Sequence, residues 1–372
     1  MRFNHGIIDN HVHAHGGCGV DAFLRNASDH LSASGLDAEN LLCVKHASSA
    51  CITEAEALLA KAVYPGKFTV YGNPTFLIDG FDTTPDGVGQ QVREFYEAGI
   101  DGVKLGDGNG GIGVPLDSPI FDPMYTALEE TGMPMLYHVG HDAYIPARRV
   151  FQKNRYPVAN PPFLIYKEGV DDDQPEGMRT APPGIPMITN EEKWAQMENI
   201  LSRHPKVNLT FAHTYFMSDN LDRLAQVFDR HENVKIDLTP CYQIYYYFSK
   251  NPKKVRDFMG TYRDRILFGT DNEMELDPIT VINLIRQALE TDETFFSVRW
   301  GFDVQGLGLP KDVLEDIYKN NFLRIQTGKP FSPRKAASFC EHLYETVRIF
   351  EDLPEANKEE VAECARRLAK MS

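Results

Sequence analysis

The 372-residue sequence is short of positive charge. It carries 38 Lys and Arg against 53 Asp and Glu, a formal balance of −15. That deficit argues against nucleic acid or an anionic membrane as the main partner, although a site can still be locally positive inside an acidic protein. The six cysteines, Cys18, Cys43, Cys51, Cys241, Cys340 and Cys364, include no CxxC pair. In so long a chain this pattern reads as reduced thiols in a cytoplasmic protein. The opening MRFNHGIIDNHVH lacks the apolar core of a signal peptide. The longest hydrophobic stretches are too short to span a bilayer. Repeats and low-complexity tracts are missing too. What remains is an ordinary soluble composition, 24% charged and 42% hydrophobic. The length suits one large barrel or two ordinary domains. A small-molecule substrate and a homo-oligomer are expected as partners.

Short apolar runs recur along the chain: GIIDNHVHA (6–14), LLCVKH (41–46), FTVYGNP (68–74), GVKLG (102–106), PMLYHVG (134–140), VNLTFAH (207–213), VKIDLTP (234–240) and RILFGTD (265–271). Their lengths and branched residues suit buried strands. Helical patterns lie between them, at 52–63, 87–99, 190–204, 219–231 and 278–290. Several end in Gly or His-Pro, as helix stops do. The segment between the first two runs gives no clear pattern. Eight alternations predict an α/β fold, a (β/α)8 TIM barrel forming a single domain over 1–372. An open doubly wound sheet is the alternative. No Gly-rich phosphate turn follows the first run, which disfavours a dinucleotide-binding version. Residues 142–189 are too long for a simple connection and read as a lid-like insertion after the fifth strand. Residues 310–370 read as a C-terminal helical extension.

In such a barrel the chemistry sits at the C-terminal strand ends. Strand one ends in His11 and His13, strand four carries Lys104, strand five ends at His138, strand six at His213 and strand eight at Asp271. Residues i and i+2 of a strand share a face, so His11 and His13 can reach one point in space. Neutral imidazole is a common ligand for divalent metals. A surface histidine cluster, or core histidines held by hydrogen bonds, is the alternative for either residue alone. Five strands aiming ionisable groups at one mouth favour a metal site. His15 continues the alternation into a Gly-rich turn.

Taken in order, IDNHVH, GVKLG, MPMLYHVG, LTFAH, RILFGTD and the late YKNNFLRI resemble the amidohydrolase superfamily. The resemblance is to the amidohydrolase-2 branch, with its metal-dependent hydrolases and aminocarboxymuconate-semialdehyde-type decarboxylases. It implies that His11, His13, His138 and Asp271 bind a divalent metal, zinc above all. It places His213 beside the metal as a catalytic or second-site group. One metal is expected, or two if Lys104 is carboxylated. Three imidazoles and a carboxylate leave a coordination position for water or a substrate oxygen. Asp271 would take the water's proton, and His213 would shuttle it or steady the oxyanion. Lys104, His141 and Arg148 are candidate substrate contacts. Arg149, Arg155 and Arg179 lie in the same insertion, where one arginine could meet a carboxylate. YQIYYYFS (242–249) offers aromatic surface that could line the site or cover an interface. The expected function is hydrolysis of an amide, ester or lactone in a small carboxylated substrate. The alternatives are non-oxidative decarboxylation at the same metal, or an inactive binding scaffold.

Overall fold

Branched apolar runs separated by good helix formers assemble, in the computed structural model, into a closed parallel barrel ringed by helices. The structure describes residues 6–43, 52–76, 83–106, 115–140, 190–297, 299–351 and 353–372. The first half runs β1 (Ile8–Ala14), α1 (Val20–Ser34), β2 (Ala38–Cys43), α2 (Thr53–Val63), β3 (Phe68–Gly72), α3 (Pro85–Ala98), β4 (Gly102–Gly106), α4 (Asp122–Thr131) and β5 (Met135–His138). The second half runs α5 (Asn190–Arg203), β6 (Leu209–Phe211), α6 (Leu221–Arg230), β7 (Val234–Asp237), α7 (Tyr242–Lys250), α8 (Pro252–Thr261) and β8 (Ile266–Leu267). It continues with β9 (Asn272–Glu273) and α9 (Ile279–Glu290).

The sheet order is β8-β7-β6-β5-β4-β3-β2-β1-β9, and every pairing in it is parallel. The eighth barrel position is split. β8 ends at Leu267, and β9 resumes beside β1 with Val12 opposite Asn272 and His13 opposite Glu273. Backbone bonds bridge the seam: Asn10 N–H donates to Phe268 O at 3.0 Å, and Asp271 N–H donates to His11 O at 3.0 Å. These close the barrel. Eight strand positions were expected, and eight are found.

The lumen is filled from several strands by Leu42, Tyr71 and Leu136, with Ala212 just past β6. Ile8 and Leu267 meet Phe322 and Ile325 of α11 (Asn321–Ile325), which follows α10 (Lys311–Glu315). A hairpin of β10 (Thr294–Ser297) and β11 (Phe302–Gln305) lies apart from the barrel sheet. It was not anticipated. Its Trp300 stacks on Tyr245 of α7, with ring centres 4.4 Å apart. Two longer helices, α12 (Pro333–Val347) and α13 (Glu355–Lys370), pack on each other and against α2. Arg367 of α13 also pairs with Asp21 of α1 at 2.6 Å. Among the described residues, no helix is long and apolar enough to cross a membrane.

Candidate metal centre

The C-terminal end of β1 supplies the first two donors. β1 shifts register against β2 between Asp9 and Val12, a local irregularity of the kind that re-aims side chains next to active sites. His11 is fully buried, and His13 is partly exposed. Their Nε2 atoms lie 3.2 Å apart. Asp271, reached across the seam, places Oδ1 3.1 Å from His11 Nε2 and 3.0 Å from His13 Nε2. The three donor atoms thus form a near-equilateral triangle. Nitrogen and oxygen ligands of a tetrahedral zinc stand about 3.3 Å apart, so the triangle fits a divalent ion. Gly269 makes the approach possible. A Cβ there would stand 2.7 Å from Thr239 Cγ2 and 3.0 Å from His11 Cβ.

The hydrogen-bond pattern also favours a cation. His11 Nδ1–H donates to Asp237 Oδ2 at 2.8 Å, with both side chains fully buried. A neutral imidazole that donates from Nδ1 has only a lone pair at Nε2. That lone pair faces Asp271 Oδ1, another acceptor. Two acceptors at 3.1 Å repel unless a proton or a metal lies between them. His213 follows the same rule. Its Nδ1 contacts Thr239 O at 3.2 Å, which leaves Nε2 to face Asp271 Oδ2 at 3.9 Å.

The histidines differ electrostatically: burial and Lys104 lower His11, but Asp237 and Asp271 outweigh them and raise it from its ordinary value. Burial pushes His213 down to about 4, against the pull of Asp271. Burial also lowers His13. Asp271 is driven well below the usual carboxylate range: burial opposes this, but the neighbouring imidazoles of His213, His11 and His13 outweigh it. Asp9 is raised to about 7 by burial. It accepts from His11 N at 2.9 Å, from Thr270 N at 3.0 Å and from Thr270 Oγ1 at 2.6 Å, which pins β1 to the end of β8.

His213 sits on an unusual backbone. Residues His213, Thr214, Tyr215 and Phe216 all have φ between 52° and 56°, a single left-handed turn built without glycine. Such residues cost roughly 1–2 kcal/mol each, and they persist only where their surroundings fix them. Here Asp237 Oδ1 accepts from His213 N at 2.8 Å, Tyr215 N–H donates to Ala212 O at 3.0 Å, and Tyr215 stacks on Phe211. Asp271 also has a positive φ, 57°. Both proposed catalytic residues therefore stand on backbone that their neighbours hold in place.

The remaining candidates fall as follows. Buried Lys104 places Nζ 3.4 Å from His11 Nε2. His138 lies edge-on to His213, with ring centres 5.0 Å apart, and does not join the three-donor cluster. His15 points to Glu273 rather than to the triangle. His141, Arg148, Arg149, Arg155, Arg179 and the lid-like insertion 142–189 lie outside the described residues. Asp237 was missed in the sequence. The signal was the one used for Asp271: a carboxylate at the end of an apolar strand run.

The family model described as amidohydrolase matches residues 69–325. The chain belongs to the amidohydrolase family. It is accordingly an enzyme of the metal-dependent amidohydrolase superfamily. Among solved structures it resembles an uncharacterised TIM-barrel protein from Bordetella bronchiseptica, 16% identical with a TM-score of 0.53, over 86% of this chain and 98% of that chain. It also resembles 5-carboxyvanillate decarboxylase from Sphingomonas paucimobilis, 11% identical with a TM-score of 0.50, over 86% of this chain and 98% of that chain. At such identities the likeness shows the shared barrel alone. No curated protein matches the sequence.

Proposed function

We propose that this amidohydrolase-family enzyme is a zinc-dependent hydrolase of an amide, ester or lactone bond in a small carboxylated substrate. The observation that carries the reading is the triangle of His11 Nε2, His13 Nε2 and Asp271 Oδ1, with the Nε2 of His213 beside it. His11, His13 and Asp271 hold the ion, with His138 as a fourth ligand. Two imidazoles and a carboxylate suit zinc. When bound, the ion supplies Lewis-acid polarisation of a carbonyl and acidifies a water.

The chain's own residues manage the protons. Asp271, held ionised, accepts the proton of the attacking water through the oxygen that faces His213. His213, kept neutral by burial, receives it at Nε2 and passes it to the leaving group. Asp237 keeps His11 in the tautomer that presents Nε2 inward. Lys104, as an unmodified ammonium, orients the substrate's carboxylate. His141 and Arg148 are further substrate contacts.

Turnover in isotopically labelled water tests the reaction. Hydrolysis places solvent oxygen in the product acid. Release of carbon dioxide, with deuterium entering at the carbon that lost its carboxylate, would overturn the hydrolase reading in favour of decarboxylation.

A further inference from the structure

Beside the triangle, β1 and β9 build a second set of donors. His15 follows His13 by two residues, and Glu275 follows Glu273 by two, so alternation along neighbouring parallel segments brings like-facing residues together. The pairing of His13 with Glu273 fixes the register. Met274 N–H donates to His13 O at 3.0 Å, and Leu276 N–H donates to Glu273 O at 2.9 Å, which holds Glu275 in a turn. His15 Nε2 touches Glu273 Oε2. The ring of His15 lies parallel to that of His13, with centres 6.4 Å apart. One ligand atom from each of His15, Glu273 and Glu275 lies within 4.8 Å of the others.

Among the described residues, acidic side chains lie close to the chain that leaves His15. The chain leaving His15 is tied down by Gly16 N–H to Thr53 Oγ1 at 3.0 Å and Gly17 N–H to Glu56 Oε2 at 3.1 Å. Glu56 is 1% exposed, and its Oε1 has no hydrogen bond. The next side chain, Cys18, has its thiol pushed up to about 11, by burial first and then by Glu56, Glu275 and Glu360. Burial and the adjacent Glu360 raise Glu56 well above the usual carboxylate range, so the acidic groups that face His15 as charges are Glu273 and Glu275.

We propose that His15, Glu273 and Glu275 form a second divalent-cation site, separate from the triangle of His11, His13 and Asp271. One imidazole and two carboxylates, partly open to water, suit Mn2+ or Zn2+. A dication there offsets the carboxylates of Glu273 and Glu275. The proposal does not depend on which bond the enzyme breaks, and its test needs no turnover.

The experiment counts Mn2+ bound by the metal-stripped full-length protein, reading free aqueous Mn2+ by electron paramagnetic resonance. The wild type is expected to bind about two equivalents. The double variant His15→Ala with Glu275→Gln should keep one, and His11→Ala with His13→Ala should keep the other. Glu275 is exposed, so Glu275→Gln alone preserves the fold and should weaken one class of site by about tenfold or more. A wild type that binds a single equivalent overturns the proposal. So does a second equivalent that survives His15→Ala with Glu275→Gln, because that ion would be held elsewhere, for example by a carboxylated Lys104.

Discussion

Asp237 holds His11: its Oδ2 accepts from His11 Nδ1 at 2.8 Å, inside a site from which water is excluded on both sides of the bond. The other oxygen of the same carboxylate accepts the backbone N–H of His213 at 2.8 Å. One side chain on β7 thus sets the tautomer of a proposed ligand and the position of a proposed proton carrier. Replacing Asp237 with Asn keeps the size but offers a donor where His11 needs an acceptor. Metal affinity should fall by about 10- to 100-fold, measured by competition with a chromophoric chelator. Unchanged affinity in a folded Asp237→Asn variant would remove Asp237 from the site.

The donors are predicted to be unequal. Single changes of His11 or His13 to Ala each break the triangle and should abolish tight binding. His138→Ala should cost less, since His138 is not one of the three close-set donors. Metal analysis of the three variants after dialysis ranks them. Equal loss in all three would make His138 a full member of the ligand set.

Metal removal should lower stability, because the ion binds only the closed barrel. At a free metal concentration about 1,000 times the dissociation constant, linkage gives about 4 kcal/mol. Thermal unfolding with and without a chelator reads this directly. The difference should shrink in the His11→Ala, His13→Ala double variant, which keeps only the proposed second site.

Asp271→Asn retains bulk but removes the base. kcat should drop by about 10²- to 10⁴-fold. His213→Asn should reduce kcat with the metal still bound. Loss of metal in that variant would make His213 a ligand instead.

Lys235 on β7 provides a pH test away from the metal. Burial first, and Arg265 next, lower its pKa from 10.5 to about 8. Its folded value lies below its unfolded value, so the unfolded chain binds more protons between about pH 8 and 10.5. Stability from this group therefore rises as pH increases through that window. Lys235→Met should raise Tm at pH 7 by about 2 °C, for roughly 1 kcal/mol gained. The gain should shrink above pH 10.

The barrel was legible because strand runs such as GVKLG and MLYH are apolar on both faces and the helices between them are strongly patterned. Helix α1 was not. Val20, Phe23, Ala27 and His30 do form its buried stripe, but Ser, Asn and Asp weaken its helical signal. The hairpin of β10 and β11 was missed because its strands stand outside the alternation that organised the rest. Strand-end logic found His11, His13, His213 and Asp271. It passed over Asp237, although the run VKID ends in a carboxylate just as the run before Asp271 does. The left-handed turn at His213 was also hidden, since HTYF contains no glycine, asparagine or aspartate.

Because β1 meets the split eighth strand along a single seam, the two donors of the triangle that touch across it, His13 and Asp271, are 258 residues apart in the chain. The loop-closure entropy of so long a separation must be overcome before they can meet. A chain growing on the ribosome displays both imidazoles early and reaches the carboxylate only after β1 to β8 have been made. A cation held there would tie the two ends of the barrel sheet together across that join.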